Sequence, residues 1–253
     1  MKPSHLKLPI LLAALAIAIP LFAQQQSQPT QGTSDETGFS PIFDGKTLTD
    51  WDGDPVYWRA ENGSLIGEIV PGKEITENTF VTWRGGPDKG VMTDFEIKMD
   101  YKITDRGNSG VNYRSSMVPG KKYALMGYQF DIDGKLRNTG TTRHTGNNYE
   151  ERGRTFMALR GQITRATDAG KRQIIGTLGD YSELAKLIKE NDWNSLHIIA
   201  RGNTIIHILN GQVMDVLIDE DPKNRAPSGL LAMQVHVGPP MKVEFRNIRM
   251  KKL

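Results

Sequence analysis

The chain has 253 residues, with 32 lysine and arginine residues against 29 aspartate and glutamate residues, and it contains no cysteine. The lack of cysteine excludes thiolate catalysis and cysteine-ligated metals. Without Lys2 and Lys7, 30 basic residues face 29 acidic ones, and the two signs are interspersed along the chain. This balance excludes the basic footprint of a nucleic-acid-binding protein, so no nucleic-acid partner is expected.

The first residues are typical of an exported protein. A basic start precedes an apolar run from Leu8 to Ala23, which Pro9 and Pro20 interrupt. This pattern predicts a signal peptide over residues 1–23 and a periplasmic or secreted protein. The run is short for a membrane span, so we expect no stable span after cleavage, with an uncleaved anchor as the alternative.

Two further segments follow. Residues 24–38 are rich in Gln, Ser, Thr, Pro and Gly, a composition that cannot bury enough apolar surface to order itself. We interpret them as a flexible tether. Residues 39–253 have the length of one domain, and β-sandwiches often reach this size.

Taken in order, the domain alternates strands and tight turns. Asn62-Gly63 between two alternating runs predicts a hairpin with a type I′ turn. Phe95 to Ile103 alternates apolar and charged residues over nine positions, which predicts an antiparallel strand with one wet face. Residues 135–161 are poor in apolar residues and are expected to form a long functional loop. Asp180 to Glu190 is the one credible helix, with Asp180 or Ser182 as its N-cap.

The strand pattern returns after Trp193. Residues 195–201, 204–209 and 212–218 predict a meander with turns at Gly202-Asn203 and Asn210-Gly211. Many short strands at near-regular spacing indicate an all-β sandwich and argue against βαβ units.

Three predicted strands carry polar side chains two residues apart. The stretch 127–134 places Gln129, Asp131 and Asp133 on the side opposite Tyr128, while Asn112 pairs with Arg114, and Gln234 with His236. Such faces suit a sugar-binding or metal-binding cleft, although any single pair is also typical of a solvated strand face. The candidate ligands of sugar hydroxyls are Asn112, Gln129, Asp131, Gln234 and Tyr128.

His236 is the strongest candidate for acid–base chemistry. It lies at the end of an apolar strand, just before Gly238-Pro-Pro240, where an imidazole can act as general base or metal ligand, or simply be structural. Asp131 could hold a hard cation such as calcium, or it could bind sugar hydroxyls. The sequence is therefore compatible with a divalent cation bound by Asp131 and His236, but it does not require one. His144 is a weaker candidate, and His197 and His207 are interpreted as surface or packing groups.

Other charged groups are candidates for the same site. Arg114 could polarise a carbonyl or stabilise an enolate. Glu150 and Glu151 could supply acid and base as in ordinary glycosidases, but neighbours on an extended chain point to opposite sides, so at most one faces the cleft. We selected Glu151.

Several motifs resemble the 3-keto-disaccharide hydrolase family, and the resemblance covers residues 39–253. They occur in the family's order: Phe43-Asp-Gly-Lys-Thr-Leu-Thr-Asp-Trp51, Asn108-Ser-Gly-Val-Asn-Tyr-Arg114, Gly127-Tyr-Gln-Phe-Asp131, Trp193-Asn194, Leu209-Asn-Gly211 and Val243-Glu-Phe-Arg-Asn-Ile-Arg249. The segment 149–154 departs from the family pattern. The resemblance implies a jelly-roll β-sandwich of the concanavalin A-like type, here with one short helix.

The resemblance also implies an activity on 3-keto-glycosides. A ketone at C3 acidifies the hydrogen on C2, so that a base such as His236 could remove it. A cation or Arg114 would stabilise the enolate, the C1 leaving group would be eliminated, and water would then add. The alternatives are a carbohydrate-binding module without turnover, in which Trp58, Trp83, Tyr128 and Tyr149 could stack on sugar rings, and a purely structural cell-surface domain.

Overall fold

Alternating apolar residues build two facing sheets. In the computed structural model the described residues are 1, 36–137, 143–168 and 171–253. The predicted signal peptide (1–23) and tether (24–38) lie almost entirely outside the described residues. Within the described part of the chain, no helix is long and apolar enough to cross a membrane. Residues 37–253 form one compact unit.

The described residues form a ten-stranded and an eight-stranded sheet. The ten-stranded sheet has the spatial order β13 (Lys171–Thr177), β12 (Gln162–Thr167), β16 (Gln212–Asp219), β15 (Thr204–Leu209), β14 (Asn194–Arg201), β7 (Phe95–Ile103), β18 (Met241–Lys252), β4 (Ser64–Ile69) and β3 (Trp58–Glu61), with β1 (Ser40–Pro41) also paired to β18. The eight-stranded sheet has the order β11 (Thr155–Ala158), β10 (Asn148–Glu151), β9 (Leu125–Asp133), β8 (Asn108–Met117), β17 (Gly229–Val235), β5 (Thr79–Trp83) and β2 (Trp51–Asp52), with β6 (Val91–Met92) paired to β17. All pairings are antiparallel except β12 with β16.

The core lies between the inner faces of the two sheets. Along β7 every second residue from Phe95 to Ile103 is buried, as the alternation predicts. These side chains meet the inner residues of the other sheet, for example where the rings of Tyr101 and Phe130 lie 6.5 Å apart. The all-β sandwich predicted from the sequence is confirmed.

The turns follow their predicted chemistry. Asn62 and Gly63 have φ of 50° and 79°, the positive values that a type I′ turn between β3 and β4 requires. The meander β14–β15–β16 also forms as predicted.

Two expectations about the middle of the chain were wrong. Residues 135–161 were expected to form a loop, but they contain β10 and β11. The predicted helix 180–190 is only one turn, α1 (Tyr181–Ala185), with Asp180 as its N-cap. Leu187 of the expected apolar stripe is 41% exposed, so too little apolar surface is buried to extend the helix.

Candidate functional site

The outer face of the eight-stranded sheet, turned away from the other sheet, carries a group of buried polar side chains. Because strand residues alternate between faces, those that flank the core residues of β8, β9 and β17 point outward. Their exposed fractions are 0% for Asn112 and Gln234, 3% for Gln129, 6% for Asp131 and 8% for Glu151. We call these five residues the polar cluster.

Hydrogen bonds within the polar cluster leave several atoms without a protein partner. Gln129 Nε2 donates to Asp131 Oδ1 at 2.7 Å, and Gln234 Nε2 donates to Glu151 Oε2 at 3.3 Å. Both amide atoms of Asn112 and the Oε1 atoms of Gln129 and Gln234 have no partner. An unsatisfied buried polar group costs about 1–3 kcal/mol, so these four amide atoms on one face are where a polar ligand or ordered water would be bound.

Asp131 is the carboxyl group most affected by its surroundings. Burial raises its pKa well above the usual range for aspartate, the amide of Gln129 opposes this, and the carboxylates of Asp133 and Glu151 add to it. A raised pKa favours the protonated form, which can donate a hydrogen bond or a proton. Asp131 is therefore suited to act as an acid.

Glu151 connects the polar cluster to Asn78, which directly precedes β5. Its Oε1 accepts from Asn78 Nδ2 at 3.2 Å, and Asn78 Oδ1 in turn accepts from the backbone N–H of Val237 at 2.9 Å. Glu150, the preceding residue, points to the inner face, where its Oε2 accepts from Arg154 Nε at 2.6 Å. The two adjacent glutamates thus face opposite sides, and they do not form a glycosidase pair.

Glycine forms part of the floor of the polar cluster. Gly110 lies opposite Asp131 on β9 and Gln234 on β17. A Cβ atom at Gly110 would lie 2.4 Å from Gln129 Cδ, closer than real Cβ contacts allow. The side chain of Gln129 therefore rests directly on the backbone of β8.

His236 follows β17 on the outer face and is half-buried. Its Nδ1 lies 2.7 Å from the carbonyl oxygen of Val237, which can only accept a hydrogen bond, so Nδ1 carries the proton. In the neutral imidazole, the lone pair is therefore on Nε2, where it can accept a proton or bind a metal. The adjacent backbone N–H of His236 donates to the carbonyl oxygen of Asn108 at 3.2 Å, which fixes the chain here.

An aromatic group borders the same face. Tyr149, which is opposite Gln129 on β10, lies edge-on to Phe156 with 5.1 Å between ring centroids, and Phe156 lies 4.8 Å from His144. All three rings are half-buried. Asp133 holds this border in place, because its Oδ2 accepts from the backbone N–H of His144 at 2.8 Å. Partly exposed rings beside amides and carboxyls are typical of sugar-binding surfaces.

Four residues that the sequence offered for the site lie elsewhere. Tyr128 is on the inner face, stacked on Tyr113 at 5.9 Å with its hydroxyl donating to Asp219. Trp58 and Trp83 are also buried in the core. The side chain of Arg114 bonds Thr93, Gly202 and Asp94 through Nε and both terminal nitrogens.

The displacement of Arg114 has a local cause. The pairing of β8 with β9 shifts between Tyr113 and Ser116, and Arg114 has a φ of 44°. This bulge breaks the alternation of side chains between the two faces, so Arg114 does not share a face with Asn112 as the sequence predicts. Arg114 thus serves to join loops at the edge of the sandwich.

The predicted metal ligands Asp131 and His236 both lie on the outer face, on either side of β8. Among the described residues, no three His, Asp or Glu side chains are grouped as ligands of a metal ion. The divalent cation stays a prediction.

A second polar network, within the core, was not foreseen. His207 Nε2 lies 2.7 Å from the hydroxyl of Tyr113, and His207 Nδ1 lies 2.7 Å from Asp215 Oδ2. Asn148 Nδ2 donates to the same hydroxyl at 3.1 Å. All four residues are fully buried, so this network joins the two sheets and does not reach the outer face.

Comparison with known proteins places this geometry in a family. The family of 3-keto-alpha-glucoside-1,2-lyase-like domains matches residues 38–251. The chain belongs to this family. The resemblance to 3-keto-disaccharide hydrolases noted from the motifs is confirmed, and the function of the domain is carbohydrate-related. No curated protein matches the sequence.

Solved structures share the fold at low sequence identity. A candidate glycosyl hydrolase from Parabacteroides distasonis ATCC 8503 has a TM-score of 0.54 at 19% identity, over 85% of this chain and 99% of that chain. A second such structure from the same organism has a TM-score of 0.53 at 18% identity, over 85% and 94% of the two chains. A Bacillus subtilis protein of unknown function with a galectin-like fold has a TM-score of 0.52 at 12% identity, over 81% and 90%. These similarities establish the sandwich fold.

Proposed function

We propose that the domain cleaves 3-keto-glycosides by removing the C2 proton and eliminating the C1 substituent, at the polar cluster on the outer face. Four amide atoms without a protein partner carry this proposal: both of Asn112 and the Oε1 atoms of Gln129 and Gln234. Sugar hydroxyls and the C3 carbonyl both pair with amides, and family membership supports the keto-sugar as substrate.

Three groups have the chemistry that the reaction needs. His236 Nε2 has a free lone pair for the C2 proton. Asn112 Nδ2, a buried donor without a protein partner, would face the enolate oxygen. Arg114 cannot take this role because its buried guanidinium is directed to Thr93, Gly202 and Asp94. Asp131, with its raised pKa, would protonate the leaving oxygen at C1. Water then adds to the unsaturated sugar.

Glu151 has a supporting role in this proposal. Its two oxygens accept from Asn78 and Gln234, so it orients the amide of Gln234, and its negative charge helps to keep Asp131 protonated. Periplasmic or extracellular action rests on the N-terminal pattern alone.

A carbohydrate-binding module without turnover is the second candidate. The specific observation in its favour is that three of the five cluster residues are amides, which bind sugars but transfer no protons. A binding module would tolerate the loss of His236, whereas the enzyme would not.

The first experiment compares a 3-keto-α-glucoside with its unoxidised parent, with and without a chelator. We expect aglycone release from the keto form only, and a loss of release with chelator would add the predicted cation to the site. Sugar binding without release from either compound would establish the binding module and contradict the proposal.

The second experiment assigns the base. His236→Ala should lower kcat by at least ~100-fold, since general base catalysis contributes about 10²–10⁴. His197→Ala is the matched control, because His197 bonds Glu96 on the other sheet at 2.8 Å and should keep full activity. His144→Ala tests the other imidazole near the site. Unchanged turnover in His236→Ala with loss in His144→Ala would reassign the base.

A further inference from the structure

The pairing of β17 with β5 ends just before His236. The last backbone pair is Val235 with Thr79. Two residues further along, the N–H of Val237 donates to a side chain, that of Asn78, at 2.9 Å from Oδ1. Asn78 is half-buried directly before β5, so its amide extends the contact between the two strands by one step.

The two partners of Asn78 determine the orientation of its amide. Oδ1 faces a backbone N–H, which can only donate, and Nδ2 lies 3.2 Å from Glu151 Oε1, which as a carboxylate oxygen can only accept. An amide turned by 180° would lose both hydrogen bonds. Asn78 therefore connects the end of β17 with the polar cluster in one defined orientation.

Val237 also determines the state of the imidazole. Its carbonyl oxygen accepts from His236 Nδ1 at 2.7 Å, while its N–H is the group that Asn78 binds. If this segment of backbone turned, the bond to Nδ1 would be lost, and nothing in that bond would then favour the tautomer with the lone pair on Nε2. On the other side the N–H of His236 donates to the carbonyl oxygen of Asn108 at 3.2 Å, so β8 and Asn78 hold the segment from two directions.

We propose that Asn78 is a positioning residue, which holds the Val237 backbone so that His236 keeps the tautomer with a free lone pair on Nε2. This inference rests on the proposed function for the role of His236 as the base. Asn78 acts through Val237 and takes no part in the proton transfer itself. Because the other end of its amide binds Glu151, the position of the base is coupled to the polar cluster.

The test observes the tautomer directly, so that it does not depend on turnover. Long-range ¹H–¹⁵N NMR at about pH 8, where an unperturbed imidazole is neutral, distinguishes the two ring nitrogens, and His236→Gln assigns the signals. We expect the Nδ1–H tautomer in the wild type and a mixture of tautomers in Asn78→Ala. This variant should also lower kcat about 10–100-fold with little change in KM, since a misplacement of about 1 Å can cost about 100-fold.

An exchange of polarity separates positioning from general damage. Asn78→Asp places a second carboxylate against Glu151 and should disturb the tautomer, also where Asn78→Ala does not fold. The double variant Asn78→Asp/Glu151→Gln restores both bonds, because the new carboxylate accepts from Val237 N–H and from the new amide, whose oxygen still accepts from Gln234. We expect it to recover the wild-type tautomer and most of kcat.

The matched control is Asn194→Ala. Asn194 Oδ1 also accepts a backbone N–H, that of Lys189 at 2.9 Å, but it lies on β14 of the other sheet, so its loss should lower Tm and leave the imidazole unchanged. A wild-type tautomer in both Asn78 variants, a wild type without the Nδ1–H tautomer, or a double variant that recovers neither property would overturn the positioning role. A tautomer that depends on Asn78, in a wild type that does not cleave 3-keto-glycosides, would keep this role and remove the catalytic proposal.

Discussion

The carboxyl group of Asp131 is held in a site that disfavours its charge. Because burial raises its pKa in the folded chain above the unfolded value of about 4, the folded state binds more protons at intermediate pH. Its contribution to stability is present at acidic pH and is lost as the pH rises through the folded pKa. At higher pH the buried carboxylate therefore destabilises the fold, and an acid catalyst would retain this cost for the sake of its function.

Asp131→Asn should therefore stabilise the fold and remove activity. We expect a Tm several degrees higher at pH 8, from about 0.5–2 kcal/mol, with the gain shrinking as the pH falls towards 4. Differential scanning calorimetry across this range and a turnover assay check both effects. Asp133→Asn is the matched control: Asp133 accepts from Asn108 Nδ2 at 2.6 Å, so its Tm should fall. A lower Tm for Asp131→Asn at pH 8 would contradict the argument.

At the residue scale, the alternation rule could predict most of the polar cluster. It places Gln129 and Asp131 on the outer face from the sequence alone, and by the same rule Tyr128 belongs to the core. Arg114 could not be placed, because a bulge with positive φ at a non-glycine residue has no local sequence signal. Asn78 was missed because its contact with Glu151 joins positions 73 residues apart.

At the element scale, β8 and β9 depend on the close contact between Gly110 and Gln129. Gly110→Ala should push Gln129 away from Asp131, at a cost of about 1–3 kcal/mol for overpacking and with a higher KM. A double-mutant cycle with Gln129→Ala is the sharpest check, since removal of the Gln129 side chain makes room for the new Cβ. We expect coupling of about 1 kcal/mol in Tm-derived stability. Strictly additive effects would show that the contact is unimportant.

The strands that the sequence did not predict are those without an apolar period. All seven residues of β13 are exposed or half-buried, so its pattern resembles that of a loop. In β10, the inner positions are occupied by Asn148 and Glu150, polar residues that bond the buried hydroxyl of Tyr113 and the half-buried Arg154. Periodicity of apolar residues cannot detect a strand whose inner face is polar.

At the scale of the whole molecule, Arg154 joins the two sheets at one edge. Its Nη2 donates to Asp219 Oδ2 on β16 at 2.6 Å, and its Nε donates to Glu150 Oε2 on β10 at 2.6 Å. Both carboxylates are buried. Loss of the guanidinium would leave them without their cation.

Arg154→Met should destabilise the fold by roughly 3–5 kcal/mol at pH 7, because a buried ionic network without its cation is strongly unfavourable. Urea unfolding at pH 7 measures the change. Arg152→Met in the same turn is the control: its exposed pair with Glu77 is worth at most about 1 kcal/mol. Equal effects of the two substitutions would refute this role of Arg154.

The sandwich itself could be predicted because strands such as β7 alternate strictly between apolar and polar residues. The order of the strands could not be predicted from the sequence, since pairings such as that of β12 with β16 join distant positions of the chain in parallel. Strand order depends on closure of long loops, which leaves no local pattern.

The order of strands has a consequence for the way the chain is made. β17 fills the place between β8 and β5, and β18 fills the place between β7 and β4. During synthesis, β5 and β8 therefore leave the ribosome long before β17, and β4 and β7 leave it long before β18. Until residues 229–252 emerge, both sheets have unpaired central edges, which are the surfaces most prone to aggregate. Synthesis that stops before β17 would leave two open sheets in place of a smaller sandwich.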